Sequence, residues 1–102
     1  MANLAEEVLV FKESLRSFVE SKSSDKIVDG LPYRQYCIQD AVFCLIEMER
    51  SSRTLLDLPL QDQKQIIFWA VQMRDEAKKV LKDDFDMIYD VVLNGHSERV
   101  SN

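Results

Sequence analysis

The sequence predicts an all-α protein, an antiparallel bundle of three long helices in one domain. Only two glycines and two prolines occur in 102 residues, whereas β sandwiches and barrels need many turns. Apolar residues recur at helical spacing in three long segments. Hydrophobic residues make up 46% and charged residues 30% of the chain, which is a globular composition with enough material for one modest core.

The first predicted helix runs from about Leu4 to Glu20. Its apolar positions are separated by four, three, four and three residues, so they line one face. Asn3 and Glu6 are placed to form a capping box at its start. Residues 21–30 follow as a polar, serine-rich connector that closes with Asp-Gly, a typical turn signal.

A leucine–proline pair precedes each of the other two helices. Proline suits the first turn of a helix, so Pro32 and Pro59 mark the two starts. The second helix is predicted to begin at Leu31 and to continue to about Arg53, or to Leu56 at most.

The third helix is predicted to end at Asn94-Gly95, a strong stop signal. An unbroken third helix would be about 50 Å long, much longer than the others. A break near Asp83, which would leave a short fourth helix, is therefore the alternative. The bundle domain is predicted to span residues 1–94, and residues 95–102 are predicted to form a flexible tail.

The charge balance excludes several partners. The net charge is −5 and the pI about 4.8, whereas binding to nucleic acid or to an anionic membrane needs clustered Lys and Arg.

No apolar run approaches the roughly 18 residues of a membrane span, and the charged first twenty residues do not resemble a signal peptide. We expect a cytoplasmic protein that binds neither nucleic acid nor membrane.

The two cysteines are expected to be buried, free thiols. Cys37 and Cys44 lie seven residues apart, about 10.5 Å along one helix, which is too far for a disulfide. A nucleophilic cysteine needs a base to form the thiolate, and the single histidine, His96, lies in the predicted tail. We therefore expect no metal, no cofactor and no catalytic residue.

Four aspartates form an acidic group near the predicted break: Asp83, Asp84, Asp86 and Asp90. A calcium loop needs glycine at its sixth position and glutamate at its twelfth, and neither residue stands there. A solvated face is predicted instead, with ion pairs at i,i+4 spacing between Lys79 and Asp83 and between Lys82 and Asp86.

Two six-residue apolar runs, Ala41–Ile46 and Ile66–Val71, exceed what a bundle helix needs for one buried stripe. Either loops and the C-terminal segment cover the excess, with Ile27, Val28, Leu56 and Leu58 as candidates, or a second copy or another protein covers it. Large exposed apolar patches on soluble proteins usually mark interfaces.

Residues typical of binding hot spots flank these runs. The predicted partner-binding residues are Tyr33, Arg34, Tyr36, Phe43, Phe68, Trp69 and Arg74. Tyr33 and Tyr36 could each instead be a core aromatic with its polar tip in water. The sequence thus favours a non-catalytic interaction module, such as a small adaptor, a chaperone-like protein or a regulatory subunit. It would act through helices 2 and 3, on itself as a homodimer or on another protein.

Two other functions stay open. An acidic inhibitor or immunity-type protein would cover a basic surface of a target enzyme with the four aspartates, and its association would be sensitive to salt. An enzyme whose site forms between subunits would show no motif in one chain.

Overall fold

The computed structural model describes the backbone of residues 4–21, 26–28 and 30–101, and the side chains of these residues up to position 94. The α-helices in this part of the chain are α1 (Leu4–Glu20), α2 (Tyr33–Ser52), α3 (Leu60–Leu81) and α4 (Phe85–Ser101). Two short antiparallel strands, β1 (Ile27–Val28) and β2 (Leu31–Pro32), lie between α1 and α2, and a 3-10 turn, Lys82–Asp84, joins α3 to α4. The predicted all-α bundle is confirmed, and so is the break near Asp83.

Helix α1 has the predicted bounds and packs antiparallel to α2. Its predicted apolar stripe supplies three buried side chains, those of Val8, Phe11 and Leu15. In the second half of α1, the Ser14 hydroxyl donates a hydrogen bond of 2.9 Å to the Asp40 carboxylate in the first half of α2. The predicted capping residue Asn3 lies outside the described residues.

Helix α2 is the central element, in contact with α1, α3, α4 and both strands. It begins at Tyr33, two residues later than predicted, because Leu31 and Pro32 pair with β1 before the helix starts. Gly30 adopts a φ of 80° in the turn between the strands, which glycine reaches without steric cost. Gly30 therefore lies in the turn of a small hairpin that leads directly into α2.

Helix α4 covers one end of the core. Phe85 is buried, and four half-buried side chains of α4 pack against the core cluster: Ile88, Tyr89, Val92 and Leu93. The C-terminal segment thus covers part of the apolar surface of the bundle, which was one of the two alternatives drawn from the sequence.

The predicted end of the last helix is wrong. Helix α4 has 17 residues, as many as α1, and continues through Asn94 and Gly95 to Ser101. An isolated glycine costs a helix only about 1 kcal/mol relative to alanine, so it does not have to end one. The flexibility of residues 95–102 stays a prediction.

Lys82 takes an unfavourable backbone conformation where α3 ends. Its φ is 51° and its ψ −122°, a region that a residue with a Cβ rarely adopts. Replacing Lys82 by glycine should relieve this strain and raise the free energy of unfolding by about 0.5–1 kcal/mol. Urea denaturation measures the change. The control is Lys79→Gly, where the same substitution inside α3 should lower the stability by about 1 kcal/mol; a loss at both positions would contradict the strain at Lys82.

Candidate interaction surface

The apolar run on α2 is core rather than surface. Of the residues in Ala41–Ile46, only Phe43 is half-buried, and the others are at most 2% exposed. A helix that is apolar all round is typically buried all round, and α2 has neighbours on several sides. The apolar side chains of Ala41–Ile46 are therefore largely covered by the protein itself.

The apolar run on α3 is divided between core and solvent. Ile66 and Ala70 are buried, and Trp69 is half-buried against the core. Toward solvent, four apolar side chains form what we call the outer face of α3: Leu60 (65% exposed), Ile67 (48%), Phe68 (53%) and Val71 (55%). This face contains one of the seven predicted binding residues, Phe68.

A cleft of about 220 Å³ borders the outer face, between the end of α2 and the middle of α3. Its apolar side is formed by Ile67, Ala70 and Val71, and its polar side by Glu49, Ser52, Arg53 and Arg74. The outer face is thus bounded on one flank by polar groups that are held in place by the fold.

Arg74, another predicted binding residue, belongs to a polar network that joins three helices. Its Nε and Nη2 atoms lie 2.6 and 2.5 Å from Oε2 of Glu49, and the Tyr89 hydroxyl donates a hydrogen bond of 2.7 Å to Oε1. The guanidinium also lies 5.1 Å from the ring centre of Tyr89 and 5.4 Å from that of Phe85. Burial and the hydrogen bond to Glu49 raise the pKa of Tyr89. Arg74 therefore fastens α3 to α2 and α4.

The predicted binding residues at the start of α2 lie elsewhere. Arg34 donates a hydrogen bond of 2.5 Å to the Phe18 carbonyl and stacks 3.9 Å from the Phe18 ring centre. The ammonium group of Lys26 lies 5.1 Å from the ring centre of Tyr33, and Tyr36 is half-buried. This cluster is fifteen residues before Glu49 on α2, about 22 Å away along the axis. The seven residues do not form one patch, and their role in binding stays a prediction.

Several other exposed apolar side chains lie outside the outer face of α3. Leu56 in the loop before α3 is 96% exposed and Ile27 is 63% exposed, so neither covers the bundle as the sequence suggested. Leu9 on α1 (61%) and Met87 on α4 (62%) also face solvent. Leu9 stands next to the buried stripe of α1 in the sequence. Its apolar character alone does not show whether it lies in the core or in solvent.

Both cysteines are buried and free, as predicted. Burial raises the pKa of the Cys44 thiol far above its usual range, and the hydrogen bond to Glu7 and the nearby carboxylates of Asp40 and Glu47 act in the same direction. Such a thiol stays protonated, which is the opposite of what a nucleophilic cysteine requires.

The four aspartates of the acidic group are exposed, but the two predicted ion pairs with Lys79 and Lys82 are wrong. The 3-10 turn interrupts the helix at Lys82–Asp84, so i,i+4 spacing no longer places these side chains on one face. No group of three His, Cys, Asp or Glu side chains in the described residues is arranged to hold a metal ion. His96 lies outside the described side chains.

Comparisons with protein-family models, curated proteins and solved structures found no match to this chain. Within the described ranges, none of the helices has the length and apolar character needed to cross a membrane. The function of the protein is therefore inferred from the exposed residues of the outer face of α3.

Proposed function

We propose that the protein is a non-catalytic interaction module that binds a protein partner through the outer face of α3. The proposal is carried by one observation: Leu60, Ile67, Phe68 and Val71 are each about half exposed or more on the side of α3 that faces away from the core. Several large apolar side chains exposed together on one helix of a small domain often mark an interface.

Binding removes water from the side chains around this face, and uncharged side chains cost less to desolvate than charged ones. One flank carries three exposed, uncharged amides, those of Gln61, Gln65 and Gln72. Aromatic residues are enriched at the centre of protein interfaces. Phe68 is the aromatic side chain on this face, so we assign it the central contact.

We also propose a cytoplasmic location, because buried, unpaired cysteines are typical of reducing compartments. An experiment that captures the partner on the immobilised protein should therefore use a cytoplasmic extract of the native host.

Replacing Phe68 by glutamate should abolish capture of the partner. The position is 53% exposed, so the fold should tolerate the change, whereas a carboxylate at the centre of an apolar interface would weaken binding by at least about 30-fold. The tagged wild type, Phe68→Glu and Met87→Glu serve as baits, and bound proteins are identified by mass spectrometry. Met87→Glu places the same charge on α4, at a side chain that is 62% exposed, and should leave capture unchanged.

The same experiment distinguishes the inhibitor hypothesis. A partner that Phe68→Glu retains, but that moderate salt or Asp83→Asn with Asp84→Asn releases, would overturn the role of the outer face and favour an acidic inhibitor. Loss with Met87→Glu as well as Phe68→Glu would also contradict a specific site on α3.

A further inference from the structure

We infer that a second copy of this chain is the partner, docked with its α3 antiparallel to the first α3 across a two-fold axis. The inference rests on the proposed function, since it uses the same face. It is carried by the arrangement of four exposed residues along the solvent side of α3, two of which belong to that face: Lys64, Phe68, Val71 and Asp75.

The spacing of these residues is symmetric. They are separated by four, three and four positions, so all four lie within one narrow stripe on a helix with 3.6 residues per turn. Read in either direction, the stripe has a charged residue at each end and two apolar residues in the middle. An isologous interface needs a surface of this kind, because each residue i meets j while j meets i.

In the antiparallel arrangement, Lys64 lies opposite Asp75 of the partner subunit, and Asp75 lies opposite the partner's Lys64. Between the two ion pairs, Phe68 lies opposite Val71 of the partner subunit, and Val71 lies opposite the partner's Phe68. A parallel arrangement would place lysine opposite lysine and aspartate opposite aspartate, which is repulsive. The charges therefore select the antiparallel orientation as well as the partner.

The two charges are available for this contact. Lys64 and Asp75 are both exposed, and neither forms an ion pair with any residue that the structure describes. Their side chains face outward at the two ends of a stripe about 16 Å long, flanked by Ile67 and the border of the cleft. A contact of this length is at the small end of specific interfaces, so we expect a reversible dimer with a dissociation constant of roughly micromolar magnitude.

Charge reversal tests both the partner and the orientation. Sedimentation equilibrium at low ionic strength, from about 10 µM to about 1 mM protein, should show the wild type in a monomer–dimer equilibrium. Lys64→Glu and Asp75→Lys should each weaken self-association by about tenfold or more, because each creates two repulsive contacts per dimer. Combining both substitutions in one chain should restore the dimer. Glu76→Lys, the same charge change outside the stripe, should have no such effect.

Mixing the two single variants is the decisive arm. In a heterodimer of Lys64→Glu with Asp75→Lys, both charge pairs become attractive, so the mixture should associate more tightly than either variant alone. A wild type that stays monomeric throughout the concentration range would overturn the inference, while the capture experiment would still decide the proposed function. A dimer indifferent to charge reversal and to mixing would overturn the antiparallel geometry.

Discussion

Replacing Leu45 by alanine is expected to lower the free energy of unfolding by about 3–4 kcal/mol. Leu45 is fully buried in the middle of α2, the helix that contacts every other helix. The loss combines the transfer free energy of the deleted atoms with the cost of the cavity that remains. This is a large share of the total stability of a small domain, about 5–15 kcal/mol. The midpoint of thermal unfolding should fall by roughly 12–32 °C, because each kcal/mol shifts it by about 4–8 °C.

The chain provides a matched control for this prediction. Leu56→Ala makes the same chemical change at a side chain that is 96% exposed, so the stability should change by less than about 0.5 kcal/mol. Urea denaturation, followed by circular dichroism, measures both variants. If Leu45→Ala and Leu56→Ala lowered the free energy of unfolding by similar amounts, α2 would not be the centre of the core. The residues of Ala41–Ile46 would then be exposed rather than buried.

Much of the helical layout could be predicted from the sequence, because local patterns determine it. The regular stripe of α1 and its polar connector place its end at Glu20, and Pro59 stands immediately before α3. The break at Asp83 followed from length alone. Pro32 likewise stands immediately before α2. The sequence missed the strand that Leu31 and Pro32 form before this helix, and the continuation of α4 through Gly95.

The location of the exposed surface was only half predictable. The runs in α2 and α3 look alike in the sequence, yet one is almost wholly buried and the other is half exposed. Which helix is central depends on how the elements assemble, and periodicity within a helix carries no such information. The symmetric stripe from Lys64 to Asp75 was present in the sequence, but its meaning requires the knowledge that this side of α3 faces outward.

Assembly also explains why Arg74 resembles a binding residue in the sequence. Arginine beside aromatic side chains is typical of hot spots, but here the aromatic rings of Phe85 and Tyr89 come from the next helix of the same chain. The same chemistry that would recognise a partner instead holds α4 against α2 and α3. The carboxylate of Glu49, which binds both Arg74 and Tyr89, is therefore the residue on which this junction depends.

Replacing Glu49 by alanine is expected to lower the free energy of unfolding by about 2–3 kcal/mol. The side chain of Glu49 is 14% exposed and that of Arg74 is 35% exposed, so solvent weakens the ion pair relative to a fully buried one. The substitution nevertheless leaves the Tyr89 hydroxyl and the guanidinium without their shared acceptor, and hydrogen bonds to charged groups contribute about 1.5–3 kcal/mol. Chemical denaturation of the purified variant provides the measurement.

Three further variants separate the charge from the hydrogen bonds. Glu49→Gln keeps the shape and an acceptor oxygen, so it should cost less than Glu49→Ala, and Tyr89→Phe should cost about 1 kcal/mol. Glu76→Gln, the same change at an exposed position of α3, should have almost no effect. If Glu49→Gln is as harmless as Glu76→Gln while Tyr89→Phe is costly, the tyrosine hydrogen bond and not the ion pair holds the junction. If all three are neutral, packing of the α4 aromatics alone attaches that helix, and Arg74 is free to serve a partner.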